Sequence, residues 1–374
     1  MRSNRISFAV IFLLTIFSLS LIPQNSNSCT VFKFTRDSVT VYGQNLDWHL
    51  PVPGLMVVNK RGIHKTVLHW KGNWPAGDTR EQISWVSLYG SVTSTCYGRD
   101  FIDGGMNEAG LIIDEASFEA VYPADDGRPG ISCPQWMQFQ LDNYATVEEV
   151  LAHISDLRPD GEGWHYLIAD RNGDCAVIEY LDGEARIYQG DELEFPALTN
   201  TSYAQALSHI PMDAAFGGDI DIGSGSDSYG RFVRVAALLR DYDPADDPGI
   251  SDYAFHILDE VSCENTQRMV VYDATHNRVL WKSIVNNKIR WLDLNEIDFS
   301  SGTTTKVIDI DDNIEGNVLA NLIDYTIDLN RQVARAVMFP NAFGSATPNE
   351  LSSRGLTLEE VIEMVAIHPT RPVQ

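Results

Sequence analysis

The chain has 374 residues, and 52 acidic against 27 basic side chains give it a formal net charge of −25 at pH 7. A chain this acidic repels phosphate backbones, which argues against nucleic acid as a partner. An apolar fraction of 44% supports a real core, enough for one large domain or two small ones.

The first 28 residues have the pattern of a secretory signal peptide. Two arginines precede an apolar run from Ile6 to Ile22, and small residues lie before a cleavage point between Ser28 and Cys29. One alternative is a transmembrane anchor, because about seventeen apolar residues approach the length that spans a bilayer. Another is a lipoprotein signal, in which Cys29 is acylated. The signal-peptide interpretation predicts an exported chain, either periplasmic or secreted.

Cleavage before Cys29 gives this residue two reactive groups. Its α-amine, with a pKa of roughly 7.7–8.0, then belongs to the same residue as a thiol with a pKa of about 8.5. Such an amine can take the thiol proton directly or through one water molecule. The sequence therefore predicts a cysteine nucleophile that needs no separate histidine.

Short β-branched and aromatic runs predict a strand-rich fold that begins at the mature terminus. Residues 30–34 and 38–43 form a predicted hairpin. Further strands are predicted at 83–89, 110–113, 165–169, 176–180, 186–188, 267–272 and 278–282. Helices are predicted at 134–144, at 147–154 behind an N-cap at Thr146, and at 232–241. This order favours a layered α+β fold over a βαβ array.

The apolar spacing of the C-terminal residues predicts a helical extension. Residues 318–338 and 356–367 have helical apolar spacing, the second run behind Thr357. We expect a leader at 1–28, a main domain at 29–312 and the extension at 313–374.

Four cysteines remain after Cys29: Cys96, Cys133, Cys175 and Cys263. An even number in an exported chain is compatible with one or two disulfides. Four cysteines spread over this length are also compatible with buried thiols, the alternative that we favour. No metal site is predicted, because His64 and His69 lack neighbouring cysteines or an acidic cluster.

Five motifs in this chain resemble the choloylglycine hydrolase family of conjugated bile acid hydrolases and penicillin V acylases. In chain order they are CT at 29–30, GQNLDW at 43–48, NEAGL at 107–111, LTN at 198–200 and GRF at 230–232. The resemblance, which runs to about residue 299, implies a four-layer αββα sandwich with two antiparallel sheets between helices. It also implies cleavage of a linear amide with an apolar acyl group, no cofactor and a homotetramer. Bile amides, phenoxyacetyl β-lactams and acyl-homoserine lactones all remain open as substrates.

The resemblance assigns roles to four side chains. Cys29 attacks the amide carbonyl, Asp47 orients the α-amine, Asn200 donates to the oxyanion and Arg231 stabilises the surroundings electrostatically. The plainer alternatives are a turn aspartate, a loop-capping asparagine and a helix-terminal salt bridge. Residues 200–202 also form a glycosylation sequon.

Two positions depart from the family pattern. Gln44 stands where members usually carry arginine, and Ser117 stands where they carry asparagine or tyrosine, so only its backbone N–H is assigned to the oxyanion. Gln44, Met56, Trp136 and Phe139 are the candidate pocket residues. A lipid-anchored surface binding protein and a catalytically silent relative remain the competing interpretations.

Overall fold

The computed structural model describes residues 29–36, 38–68, 70–71, 74–75, 83–128, 130–242, 249–341, 351 and 355–370. The predicted leader at 1–28 and His69 lie outside these residues. Among the described helices, none is both long and apolar enough to cross a bilayer.

The first of two large sheets has seven strands in the described chain. Their spatial order is Ala197–Leu198 (β16), Thr30–Arg36 (β1), Val39–Asp47 (β2), Thr266–Asp273 (β17), Arg278–Ser283 (β18), Arg290–Asp293 (β19) and Gly316–Asn317 (β21). All neighbours pair antiparallel except β19 and β21. The predicted hairpin at 30–43 is confirmed, with both strands longer than expected.

The second large sheet has nine strands by the same description. In spatial order they are Glu184–Gln189 (β15), Cys175–Leu181 (β14), Trp164–Ala169 (β13), Ile112–Ser117 (β10), Gly104–Asn107 (β9), Ser91–Thr95 (β8), Leu55–Asn59 (β3), Lys306–Asp309 (β20) and Ile323–Asp324 (β22). Three strand pairs lie outside both sheets: His64–Thr66 (β4) with Ser84–Val86 (β7), Trp70–Lys71 (β5) with Trp74–Pro75 (β6), and Gly130–Ser132 (β11) with Arg158–Asp160 (β12).

The helices are Cys133–Asn143 (α1), Val147–Ala152 (α2), Tyr203–His209 (α3), Ser228–Asp241 (α4), Ile250–Glu260 (α5), Ile327–Asn341 (α6) and Leu358–Ile367 (α7). α4 and α5 pack against the seven-stranded sheet, and α1 packs against β9 and β10 of the other. Tyr42, Met56 and Tyr272 belong to a large buried apolar cluster and lie between the sheets, where the Tyr42 hydroxyl donates to the carbonyl of Leu167. The arrangement is the predicted four-layer αββα sandwich.

Two helix starts follow from capping. Thr146 accepts a hydrogen bond from the N–H of Glu149 at the start of α2, as the sequence predicts. Thr357 and Glu360 form a complete capping box at the start of α7.

The predicted helix at 318–338 is wrong in its first part, because α6 begins only at Ile327. Residues Gly316–Asn317 and Ile323–Asp324 instead form edge strands of the two large sheets. Backbone pairing with an exposed sheet edge has overridden the helical apolar spacing there. The division at residue 312 stays a prediction, and both of these strands lie beyond it.

The C-terminal helices pack on the main body through a second apolar cluster. This cluster contains Cys29 and Trp48 from the first hairpin together with Val361 and Val365 of α7. Asn330 of α6 is fully buried and accepts a hydrogen bond from the N–H of Arg99 at 2.7 Å. Its side chain also donates to the carbonyl of Ala366 at 3.0 Å, which joins α6 to α7.

Candidate active site

Cys29 lies immediately before β1, the second strand of the seven-stranded sheet. The register pairs Thr30 with Asn45 and Val31 with Gln44, which places Cys29 opposite Leu46. Residues opposite each other on paired strands share a face, so Gln44 lies on the face of Cys29, diagonally across from it. Cys29 itself is 1% exposed.

Arg231 joins three of the predicted site residues. One guanidinium nitrogen donates to the carbonyl of Cys29 and to Oγ1 of Thr30, both at 2.6 Å. The other donates to Oδ1 of Asn200 at 2.7 Å. The Nη1 atom also lies 4.0 Å from Oδ2 of Asp47. Since Arg231 is 2% exposed, these contacts fix a buried positive charge beside Cys29.

Arg231 reaches this position from the first turn of α4. Asp227 caps that helix by accepting from the N–H of Gly230 at 2.8 Å. A Cβ atom at residue 230 would lie 2.3 Å from the carbonyl oxygen of Gly225. Only glycine therefore allows the helix to start this close to the preceding loop.

Asp47, the last residue of β2, is fully buried. Its Oδ1 accepts a hydrogen bond from Thr266 Oγ1 at 2.5 Å. Its Oδ2 accepts no hydrogen bond from the described residues. Burial raises the pKa of this carboxyl to about 6, while the Thr266 hydrogen bond and the Arg231 charge act in the opposite direction.

The Cys29 thiol is held in its protonated form by its surroundings. Burial raises its pKa well above the usual range, and the carboxylates of Glu115 and Asp47 raise it further. A hydrogen bond from the backbone of Asp47 and the charge of Arg231 lower it by less. At neutral pH the thiol therefore needs a base before it can act as a nucleophile.

Asn200 has a fixed side-chain orientation. Its Oδ1 accepts from Arg231, which leaves Nδ2 to donate to the carbonyl of Ser117 at 2.9 Å. An amide nitrogen carries two hydrogens, so one N–H remains for another acceptor. The contact of Ser117 with Asn200 is therefore made by its carbonyl oxygen and not by its N–H. An oxyanion role for the Ser117 N–H stays a prediction. A glycan on Nδ2 would break the Ser117 contact.

Two residues that the sequence interpretation missed support Asn200. Ser228 Oγ accepts from the Asn200 N–H at 2.9 Å, and His165 Nε2 lies 2.6 Å from the carbonyl oxygen of Thr199. Ser228 precedes the GRF motif by only two positions, which is a usable signal. Nothing in the sequence around His165 distinguishes it from an ordinary strand residue.

Gln44 is fully buried and its Nε2 donates to the carbonyl of Asp103 at 3.1 Å. Asp103 forms an ion pair with Arg268, which is also buried. Arg268 pairs with Leu46 across β2 and β17. A cation is therefore present on this face of the sheet, although Gln44 itself is neutral.

The three remaining pocket candidates lie in different surroundings. Met56 belongs to the cluster between the sheets rather than the cluster of Cys29, since alternate residues of β3 face the seven-stranded sheet. A pocket role for Met56 stays a prediction. Trp136 is in the Cys29 cluster, 4.6 Å from the Tyr166 ring, and Phe139 borders it against Trp85.

All five cysteines are free thiols, so no disulfide forms among them. Cys96 and Cys133 are buried, while Cys175 and Cys263 are partly exposed. The expectation of buried thiols therefore holds for Cys96 and Cys133 and only in part for the other two.

A family model for linear amide C–N hydrolases of the choloylglycine hydrolase family matches residues 29–316. The chain belongs to this family. It is 24% identical over 270 residues to a penicillin V acylase from Pectobacterium atrosepticum, covering 60% of this chain and 71% of that protein.

Solved structures of the family have the same fold. The penicillin V acylase from Agrobacterium tumefaciens matches with a TM-score of 0.70 and 25% identity, covering 80% of this chain and 98% of that one. A variant of the conjugated bile acid hydrolase from Clostridium perfringens matches with a TM-score of 0.62 and 16% identity, covering 80% and 97%. These matches confirm the recognised family and its sandwich fold.

Proposed function

We propose that this protein is an exported cysteine amidohydrolase that cleaves a linear amide with an apolar acyl group, using Cys29 as an N-terminal nucleophile. The observation that carries the proposal is the Arg231 guanidinium, which joins the Cys29 carbonyl to the Asn200 side chain in a member of this family. Asp47 lies within ion-pair distance of the same guanidinium.

The base in this mechanism is the α-amine of Cys29 after cleavage of the bond to Ser28. The raised pKa of the thiol requires a base nearby, and an amine on the same residue supplies one. Asp47 supports this role, because its Oδ2 is buried and free to accept an N–H of the amine. A carboxylate in that position fixes the orientation of the base.

The reaction then proceeds through an acyl-enzyme. The thiolate sulfur forms a bond to the amide carbon, the amine leaves with a proton from the Cys29 ammonium, and water hydrolyses the thioester. The free N–H of Asn200 stabilises the oxyanion, a contribution whose loss typically costs about 2.7–4 kcal/mol.

The apolar cluster around Cys29 favours an apolar acyl group. Leu46, Trp48 and Ile131 belong to that cluster, and all are buried. The penicillin V acylase relatives make phenoxymethylpenicillin the first substrate to test, followed by conjugated bile amides and acyl-homoserine lactones.

We expect Cys29→Ser, in protein processed to that position, to remain folded and to lose turnover by about 10²–10⁴-fold, because the hydroxyl is a far weaker nucleophile. Released amine is measured across the panel of amides by mass spectrometry. Cys175→Ser is the matched control and should keep full activity, since Cys175 lies on β14 at the opposite end from the site residues.

Near-full turnover in Cys29→Ser would contradict the nucleophile assignment. Intact-mass measurement of the processed protein distinguishes the lipid-anchored binding protein from the enzyme, because a diacylglyceryl group on Cys29 adds a readily detected mass. A catalytically silent relative would be correctly processed and turn over none of the amides.

A further inference from the structure

Strand β17 contains a bulge next to the site. Thr266 pairs with Asp47, and the next pair is Arg268 with Leu46, so Gln267 is an extra residue. The Gln267 side chain donates to the carbonyl of Trp48 at 2.9 Å, which ties the bulge to the end of β2. Bulges re-aim neighbouring side chains, and this one turns the Thr266 hydroxyl towards Asp47.

The contacts of the Thr266 hydroxyl show that it donates its hydrogen to Asp47. Its oxygen accepts from the N–H of Cys263 at 2.9 Å and lies 2.5 Å from Oδ1 of Asp47. The Cys263 sulfur is 3.9 Å away and a weak acceptor, so the hydrogen goes to the carboxylate. Thr266 is 8% exposed, so water does not compete freely for this bond.

We propose that Thr266 is a positioning residue for the hydrolysis, which locks Oδ1 of Asp47 and thereby directs Oδ2 to the α-amine of Cys29. The proposal rests on the proposed function, because it assigns the amine the role of base. Thr266 touches neither the thiol nor the substrate in this arrangement. Its effect passes entirely through the Asp47 carboxyl.

Charged and titratable groups surround Asp47, and together they set its pKa and therefore the pH range in which loss of the Thr266 hydrogen bond would be detected. Arg231 of α4 lies 4.0 Å from Oδ2, and the Cys29 and Cys263 thiols both interact with the carboxyl electrostatically. Glu115 of β10 acts on Cys29 from the opposite sheet. Thr266, Arg231 and Cys263 all lower the pKa of Asp47 against burial, Thr266 the most.

The test compares Thr266→Val with Thr266→Ser in correctly processed protein. Valine keeps the β-branched shape and removes the hydroxyl, so we expect kcat to fall about ten- to a hundredfold with KM nearly unchanged. Without the hydrogen bond the pKa of Asp47 rises, so the carboxylate is protonated at higher pH. The acid limb of the pH–rate profile should therefore move up by about one pH unit.

Thr266→Ser should restore both the rate and the acid limb, because serine keeps the donor. Thr40→Val is the matched control, because Thr40 is a buried threonine at the other end of the strand that ends at Asp47, and its hydroxyl hydrogen-bonds that of Thr35. Its pH profile should match that of the unmodified protein.

A second readout needs no substrate. The pH dependence of Cys29 alkylation by iodoacetamide, followed on the Cys29 peptide by mass spectrometry, should differ from that of the unmodified protein in Thr266→Val and match it in Thr266→Ser. An unchanged profile in folded Thr266→Val would overturn the role of Thr266, with the proposed function intact. Failure of the proposed function would instead appear as full turnover in Cys29→Ser.

Discussion

Arg268 and Asp103 form a buried ion pair in the row of side chains that begins at Cys29. Cys29, Leu46 and Arg268 occupy successive strands on one face, and Gln44 donates to the backbone of Asp103. Asp103 also accepts from the N–H of Cys96 at 3.1 Å. The pair therefore orders the loop at 96–103 as well as the face beside Cys29.

We expect Arg268→Met to lower the free energy of unfolding by about 3–5 kcal/mol, because it leaves the Asp103 charge buried and unpaired. Urea denaturation measures this. The double variant Arg268→Met/Asp103→Asn should cost less than the sum of the two single changes. The exposed Lys288–Glu315 pair is the control, and Lys288→Met should change stability little. Additive single effects would show that the two side chains do not depend on each other.

At the level of single residues, much of the site was predictable because its members lie in contiguous motifs. Cys29, Asp47, Asn200 and Arg231 were all named, and hydrogen bonds and an ion pair connect them. Thr266 could not be predicted in this way, because its role depends on a bulge in β17 and on the orientation of its hydroxyl group towards Asp47, which no sequence pattern encodes.

Asn330 is a fully buried polar side chain that joins helix α6 to two other segments. Asn330 accepts from the backbone of Arg99 and donates to that of Ala366. It therefore links three segments: α6, α7 and the loop at 96–103.

We expect Asn330→Ala to cost about 3 kcal/mol in the free energy of unfolding, because a buried N–H and a buried carbonyl lose their partner. Chemical denaturation provides the measurement. Arg335→Ala, at an exposed position of the same helix, should leave the midpoint nearly unchanged. If both variants unfold at the same denaturant concentration, Asn330 does not anchor the helix.

At the level of elements, the sequence located part of the strands and part of the helices, and it missed β3, β8, β9 and β20 of the nine-stranded sheet. The hairpin at 30–43 and the helix behind Thr146 were predicted, whereas α3 and α5 were missed. α5 does have helical apolar spacing, through Ala254, Phe255, Ile257 and Leu258. The wrong helix start at 318 has a different cause, because local spacing carries no information about a vacant sheet edge.

The C-terminal segment contributes to both sheets and to the cluster that contains Cys29. Residues up to Asp324 complete the sheet edges, and α7 buries Val361, Ile362 and Val365 in that cluster. Oligomeric state is a separate matter, and the homotetramer stays a prediction.

Two truncations separate these contributions. A chain ending at Asp324 should keep its sheets but unfold at lower temperature and bind a hydrophobic dye, because the apolar surface under α6 and α7 is exposed. A chain ending at Asp312 should be less stable still, since it also loses two edge strands. Circular dichroism melting and dye fluorescence measure both. Equal melting temperatures for all three chains would contradict a structural role for the segment.

The position of Cys29 has a consequence for how activity begins. The residue directly precedes β1, and Arg231 holds its carbonyl rather than its nitrogen. On the proposed mechanism, an attached leader keeps that nitrogen as an amide, which is not basic, while the surrounding side chains are already in place. The chain would then be synthesised as a zymogen whose activation is purely chemical: one peptide bond is cut, a base appears, and no part of the sheet has to move.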